Sequence, residues 1–128
     1  MAHHHFEELE IWKRSSRLAV SVLHLTQNIS IYALRDQMSR SCISVPSNIA
    51  EGAERDSDKE FRRFLSIAKG SLAELRTQLY ISVKAETLTT EQVNPLIAET
   101  REIAAMLQAF RKRLGGDGFI NKIVSIFI

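Results

Sequence analysis

An apolar side chain recurs every three or four positions from Phe61 to Leu79, through about five turns of a helix. A β-strand would instead alternate apolar and polar residues, so this stretch predicts a long amphipathic helix. Ser57, followed three residues later by Glu60, forms a capping box that predicts where this helix begins. Helix breakers are scarce elsewhere: the chain has two prolines and five glycines, and three of the glycines lie within residues 115–118.

Three further segments carry apolar residues at helical spacing. They predict helices over residues 6–28, from about residue 32 onward, and from Thr89 or Thr90 to about Leu114. Short connections between consecutive helices favour antiparallel neighbours. The predicted fold class is therefore all-α, an up-down-up-down antiparallel four-helix bundle with a short apolar C-terminal tail.

The predicted bundle leaves a short segment at each end of the chain. Residues 1–5 are an N-terminal arm whose three histidines suggest a purification-tag remnant or, alternatively, a weak metal site. Residues 6–114 form the four-helix bundle domain, and residues 115–128 form a glycine hinge and an apolar tail. Because an exposed apolar tail promotes aggregation, Phe119–Ile128 is expected to pack on the bundle or on a neighbouring chain.

Composition and motifs exclude most kinds of chemistry. The single cysteine, Cys42, rules out an intramolecular disulfide and a cysteine-based zinc cluster. The chain contains no glycine-rich phosphate loop and none of the HExxH or GxSxG motifs, and it has no apolar run of about 18 residues. No enzymatic activity, cofactor, metal or membrane partner is therefore expected, and the expected localisation is cytoplasmic.

The first predicted helix carries a second apolar row beside the one that faces the core. This row is either a contact between copies of the chain or the edge of a wide core face. Its members are Leu9, Trp12, Ala19, Val20 and Leu23.

Six basic residues are candidates for contact with nucleic-acid phosphates. A net charge of +2 gives the whole chain no strong preference for nucleic acid, so a binding surface would need local clustering. The structural alternative is an ordinary solvated face. The six are Lys13, Arg14 and Arg17 on the first helix and Arg62, Arg63 and Lys69 on the third.

A polar stripe follows the second helix beside its apolar stripe, at spacings of four, three and four residues. It predicts either a half-buried hydrogen-bond network that fixes helix packing or a recognition surface. The stripe consists of Arg40, Ser44, Ser47 and Glu51, with Asn48 beside them.

Three segments resemble one protein family. Residues 45–52, VPSNIAEG, resemble the (I/V)PSNIAEG signature of the four-helix bundle proteins encoded in 23S rRNA intervening sequences. Residues 64–75, FLSIAKGSLAEL, resemble that family's FLxIAxGSLxEL segment, and residues 6–12, FEELEIW, resemble its F-x-x-L-x-(I/V)-W opening.

The resemblance implies a homo-oligomer, with a pentameric ring as the expected form, and kinship with accessory variability proteins of diversity-generating retroelements. Those relatives bind nucleic acid and a reverse transcriptase. For this chain the leading hypothesis is a non-enzymatic oligomer that contacts structured RNA, or DNA, through backbone phosphates. The alternatives are an interaction scaffold for a protein partner without nucleic-acid affinity, and a purely structural protein.

Overall fold

The computed structural model describes residues 5–115 of the chain. A 3-10 turn at Phe6–Glu8 precedes four α-helices. The predicted arm at residues 1–5 and the predicted hinge and tail at residues 115–128 lie almost wholly outside the described part. The helices are α1 (Glu10–Thr26), α2 (Tyr32–Ala53), α3 (Asp58–Lys84) and α4 (Thr90–Arg113).

The prediction of one continuous helix over residues 6–28 was wrong at both ends. Leu9 has an extended backbone, with φ −76° and ψ 128°, so α1 starts only at Glu10. The break lets the Phe6 ring pack edge-on against Trp12, with 5.3 Å between the ring centroids. The apolar spacing of the sequence does not reveal this break, because a short 3-10 turn and an α-helical turn place apolar residues at nearly the same intervals.

The starts of α3 and α4 follow from their capping residues. The Ser57 hydroxyl accepts a hydrogen bond from the Glu60 amide at 3.2 Å, at the predicted start of α3. Thr89 caps α4 in a reciprocal box: its hydroxyl accepts from the Gln92 amide, and the Gln92 side chain accepts from the Thr89 amide. These bonds satisfy amides that have no partner within their own helix.

The four helices form the predicted bundle. Each helix packs against its neighbours in the order α1, α2, α3, α4, and α4 closes the ring against α1. Thus α1 lies diagonally across from α3. The central core includes Val22, Val45, Leu72 and Ile103, one from each helix, all fully buried. The fold class, an all-α four-helix bundle, is confirmed.

Helices α2 and α3 share the most extensive contact in the bundle. Gly52 lies beside Phe61 and Phe64, where a Cβ atom would meet the Phe64 Cβ at 2.7 Å. Farther along the same interface, Ser41 donates to the Gln78 side chain at 2.7 Å. Both contacts depend on small residues of α2.

Candidate nucleic-acid interface

The polar stripe of α2 divides into an inner group and two surface ion pairs. Ser44 and Ser71 share a hydroxyl–hydroxyl hydrogen bond of 2.8 Å between α2 and α3. Asn48 donates to the Ser44 hydroxyl at 2.9 Å and to the Ser44 carbonyl at 2.8 Å. The structure thus brings Ser44 and Asn48 together and connects them to Ser71, which the sequence interpretation did not include.

The other members of the stripe are separate from this group. Arg40 pairs with Asp36 at 3.0 Å across one turn of α2. Glu51 pairs with Arg55 at 2.9 Å at the C-terminal end of the helix. Ser47 is exposed. Exposed pairs of this kind contribute only about 0.3–0.5 kcal/mol to stability.

Most of the second apolar row of α1 belongs to the core of the single chain. Ala19 is buried, and Leu9, Trp12 and Leu23 are partly buried against the core. Val20 is the exposed member, with 54% of its surface accessible. The side chain available for contact with another copy on this row is therefore Val20, together with the outer edges of the three partly buried residues.

Two of the three candidate cations on α1 are neutralised by carboxylates. Arg14 forms a two-pronged hydrogen-bonded ion pair with Glu99 of α4, and the two side chains are only 24% and 29% exposed. That hydrogen bond is the main cause that raises the pKa of Arg14 above its usual value. Arg17 pairs with Glu10 at 3.7 Å on the surface. Lys13 is exposed and makes no ion pair with any residue in the described range.

The three candidate cations on α3 also differ in their partners. Arg63 pairs with Glu60 at 3.0 Å, and its guanidinium lies over the Phe64 ring at 4.7 Å. Arg62 donates to the Leu114 carbonyl at 3.3 Å, and Lys69 donates to the Gln108 side chain at 3.2 Å. Arg62 and Lys69 thus reach across to α4 and contact neutral acceptors, which leave their positive charges uncompensated.

Three further arginines lie along the same boundary between α3 and α4. Arg76 lies on the same face of α3, seven residues beyond Lys69. From α4, Arg111 donates to the Gln108 side chain at 3.4 Å, and Arg101 donates to the Tyr80 hydroxyl at 2.9 Å. We name this surface the basic seam. Its members are Arg62, Lys69, Arg76, Arg101 and Arg111.

No member of the basic seam forms an ion pair with a carboxylate of residues 5–115. The α3 side of the seam spans about 21 Å, from the rise of a helix over 14 residues. Arg76 is half-buried and makes no hydrogen bond to any described residue, and the Nε atoms of both Arg76 and Arg111 are buried without an acceptor. Because these Nε atoms are shielded from solvent, an external anion would bind the terminal nitrogens of the two guanidinium groups.

The part of the seam that sequence reasoning missed had one visible signal. Arg62, Lys69 and Arg76 recur at intervals of seven, which places them on one helix face. The positions of Arg101 and Arg111 opposite them depend on how α3 and α4 align in the bundle. Arg111 was visible only as one of several basic residues in a last helical turn, where charge also complements the helix dipole.

The described residues show little that suggests catalysis. Residues 5–115 contain no group of three or more His, Cys, Asp or Glu side chains able to hold a metal ion. Cys42 is buried, and its burial raises its pKa to about 11, so the thiol is protonated at neutral pH. Within that range no helix combines the length and the apolar character needed to cross a membrane.

Comparisons with known proteins identify a family and similar solved structures. The sequence model of the 23S rRNA-intervening sequence proteins matches residues 7–109. A crystal structure from Bacteroides thetaiotaomicron, described as a protein of unknown function from the S23 ribosomal protein family, has the same fold with a TM-score of 0.74. The two chains are 24% identical, and the match covers 80% of this chain and 98% of the other. No curated protein matches the sequence.

Proposed function

The chain belongs to the 23S rRNA-intervening sequence protein family, and from this premise we propose that it is a non-enzymatic nucleic-acid-binding protein. The expected ligand is structured RNA, held through its backbone phosphates. The observation that supports this proposal is the basic seam, where five cations lie along one face without a carboxylate partner in the described range. A set of unpaired cations in a row is the electrostatic footprint of a phosphate backbone.

The seam changes which residues are proposed to bind. Arg62 and Lys69 remain from the set predicted from sequence, and Arg76, Arg101 and Arg111 join them. Arg14, Arg17 and Arg63 contribute less, because a carboxylate already neutralises each one. Lys13 also stays outside the site, since it projects from α1 on the other side of the bundle from α3.

In this proposal the protein acts as a homo-oligomer, and a pentameric ring is the expected form. An oligomer would present one seam for each copy, so a long RNA could contact several seams at once and bind far more tightly than to one. Exposed Val20 and its partly buried neighbours lie on α1, which is diagonal to α3, so a contact through α1 leaves the α3 side of the seam accessible. Light scattering during size-exclusion chromatography measures the number of copies.

The test of RNA binding is a fluorescence-anisotropy titration with a hairpin RNA, after nuclease treatment of the protein. Each phosphate contact contributes about 0.7–0.9 to the slope of log affinity against log salt, so one fully engaged seam predicts a slope of about −4. The titrations cover about 50 to 200 mM salt, the range in which such contacts weaken strongly.

A charge-matched pair of variants locates the site. The double variant Lys69→Gln, Arg76→Gln should weaken binding and make the slope shallower by about 1.5 for each seam engaged. The control Arg35→Gln, Arg40→Gln removes the same charge from the exposed face of α2 and should leave the slope nearly unchanged. If both double variants lost RNA affinity equally, the seam would no longer be the proposed binding site. No binding at the lowest salt would refute RNA binding and leave the scaffold for a protein partner as the function to test.

A further inference from the structure

A small cavity opens at the end of the basic seam, next to the loop between α3 and α4. Its volume is about 190 Å³, and Tyr80 and Val83 of α3 form one wall while Val93 and Ile97 of α4 form the other. An engineered cavity of about 150 Å³ holds a benzene ring, so this space is large enough for one planar aromatic ring.

We propose that this cavity binds one unpaired nucleobase of the nucleic acid whose phosphates contact the seam. The inference rests on the proposed function and deepens it, because it specifies the kind of RNA that binds best. A perfectly paired helix keeps its bases stacked inside, whereas a loop, a bulge or a single-stranded end can insert a base into a pocket.

Tyr80 provides the aromatic surface on which such a base would stack. It is 47% exposed, so part of its surface is accessible to a ligand. Its hydroxyl accepts the hydrogen bond from Arg101 at 2.9 Å, so the cavity wall and the last cation of the seam are directly connected. Stacking on an aromatic ring next to a positively charged groove is the usual arrangement in proteins that bind unpaired nucleotides.

The rim of the cavity carries polar groups that suit a base and its phosphate. Thr90 and Asn94 line it, and neither side chain makes a hydrogen bond to another residue of the described range. An amide such as Asn94 both donates and accepts hydrogen bonds, as the edge of a nucleobase does. Lys84 also lines the cavity, and no lining residue is acidic.

The charge around the cavity favours a nucleotide over an apolar ligand. Tyr80 lies one helical turn beyond Arg76, a rise of about 6 Å, so the cavity follows directly after the last cation of the seam on α3. A ligand without phosphates would not use the unpaired cations on this path.

The test compares three RNAs by anisotropy at one salt concentration. The first is a blunt duplex, the second is the same duplex with a short single-stranded extension, and the third carries an abasic extension with the same phosphates. Wild-type protein should bind the extended duplex about tenfold more tightly than the blunt duplex, from the stacking of one base. The abasic extension should lose most of that advantage.

Substitutions at Tyr80 test whether the cavity causes the tighter binding of the extended duplex. Tyr80→Ala should bring the ratio of the two affinities close to one, and Tyr80→Phe should restore it because the ring remains. The control is Tyr32→Ala, since Tyr32 is the other exposed tyrosine and also has an arginine, Arg35, beside its ring at 5.8 Å. Tyr32→Ala should keep the wild-type ratio.

The results separate this inference from the proposed function. Salt-dependent binding that is equal for blunt and extended RNA, or an advantage that persists in Tyr80→Ala or with the abasic extension, would overturn the base pocket and leave the seam intact. No binding of any of the three RNAs would overturn both.

Discussion

Gly52 of α2 lies so close to Phe64 of α3 that a Cβ atom on the glycine would stand 2.7 Å from the Phe64 Cβ. The same atom would be 2.9 Å from the Phe61 ring. Gly52→Ala should therefore force the two helices apart and lower the free energy of unfolding by about 1–3 kcal/mol, the usual effect of overpacking. Urea denaturation monitored by circular dichroism measures this difference.

Gly70 provides the matched control for this substitution. It also lies within a helix, but no atom outside its own helical backbone and chain neighbours would lie within 4 Å of an added Cβ. Gly70→Ala should raise the free energy of unfolding by about 0.5–1 kcal/mol, because alanine loses less conformational freedom in a helix than glycine does. If both substitutions changed stability in the same direction, the close approach at Gly52 would not be what limits the size of that residue.

The hydrogen bond between Ser44 and Ser71 gives a second prediction. Ser71 is buried, and Ser44 is its hydrogen-bond partner within the described range. Ser44→Ala would leave the Ser71 hydroxyl buried without a partner, so it should lower stability by about 1–3 kcal/mol. The double variant Ser44→Ala, Ser71→Ala removes both hydroxyls and should recover part of this loss. A double-mutant cycle measures the coupling, and additive losses would show that the hydrogen bond does not couple the two residues.

The ion pair between Arg14 and Glu99 gives a third prediction, because it is a partly buried bond between the first and last helices. Glu99→Gln should lower the free energy of unfolding by about 1.5 kcal/mol, the lower end of the range for hydrogen bonds to charged groups. Glu102 lies 4.0 Å from the same arginine but is 65% exposed, so Glu102→Gln should change stability by less than about 0.5 kcal/mol. Thermal unfolding of both variants measures the two changes in stability. Equal changes would contradict the prediction.

The buried thiol of Cys42 predicts a pH dependence at alkaline pH. Burial raises its pKa from 9.0 to about 11, so the folded chain holds this proton more tightly than the unfolded chain does. The contribution to stability is complete below pH 9.0 and is lost as the pH rises toward about 11. Relative to Cys42→Ala, wild type should therefore lose stability across this interval in denaturant titrations. If the difference in free energy of unfolding between the two proteins did not change with pH, the prediction would be contradicted.

Much of the fold could be predicted from the sequence because its signals are local. The apolar spacing of α3 can be read within one continuous stretch of sequence, and the cap at Ser57 involves only the residues of the first helical turn. The break at Leu9 could not be predicted in this way, because the 3-10 turn before it places apolar residues at nearly the same intervals as an α-helical turn does.

The candidate site was less predictable than the fold because charge compensation is a property of the folded chain. Arg14 and Glu99 are 85 residues apart in sequence, so their pairing cannot be read from helical spacing. The seven-residue spacing places Arg76 on one face with Arg62 and Lys69, but only the alignment of α3 with α4 connects it to Arg101 and Arg111. The sequence identified cations, whereas the structure separates those that are neutralised from those that are not.

Several core hydroxyls bond to a carbonyl three residues earlier in their own helix, as Ser15 does to Trp12, Ser82 to Leu79 and Thr100 to Ile97. Each of these polar groups would keep its partner if its helix slid along or turned against the bundle. They therefore carry no information about helix alignment, which contacts between helices must supply. The α2–α3 contacts at Gly52 and Ser44 each involve a buried residue, whereas Arg14 with Glu99 and Lys69 with Gln108 are contacts between partly or fully exposed side chains. Mutational drift should accordingly shift α1 and α4 more readily than the α2–α3 hairpin, and distant homologues should superpose best on that hairpin.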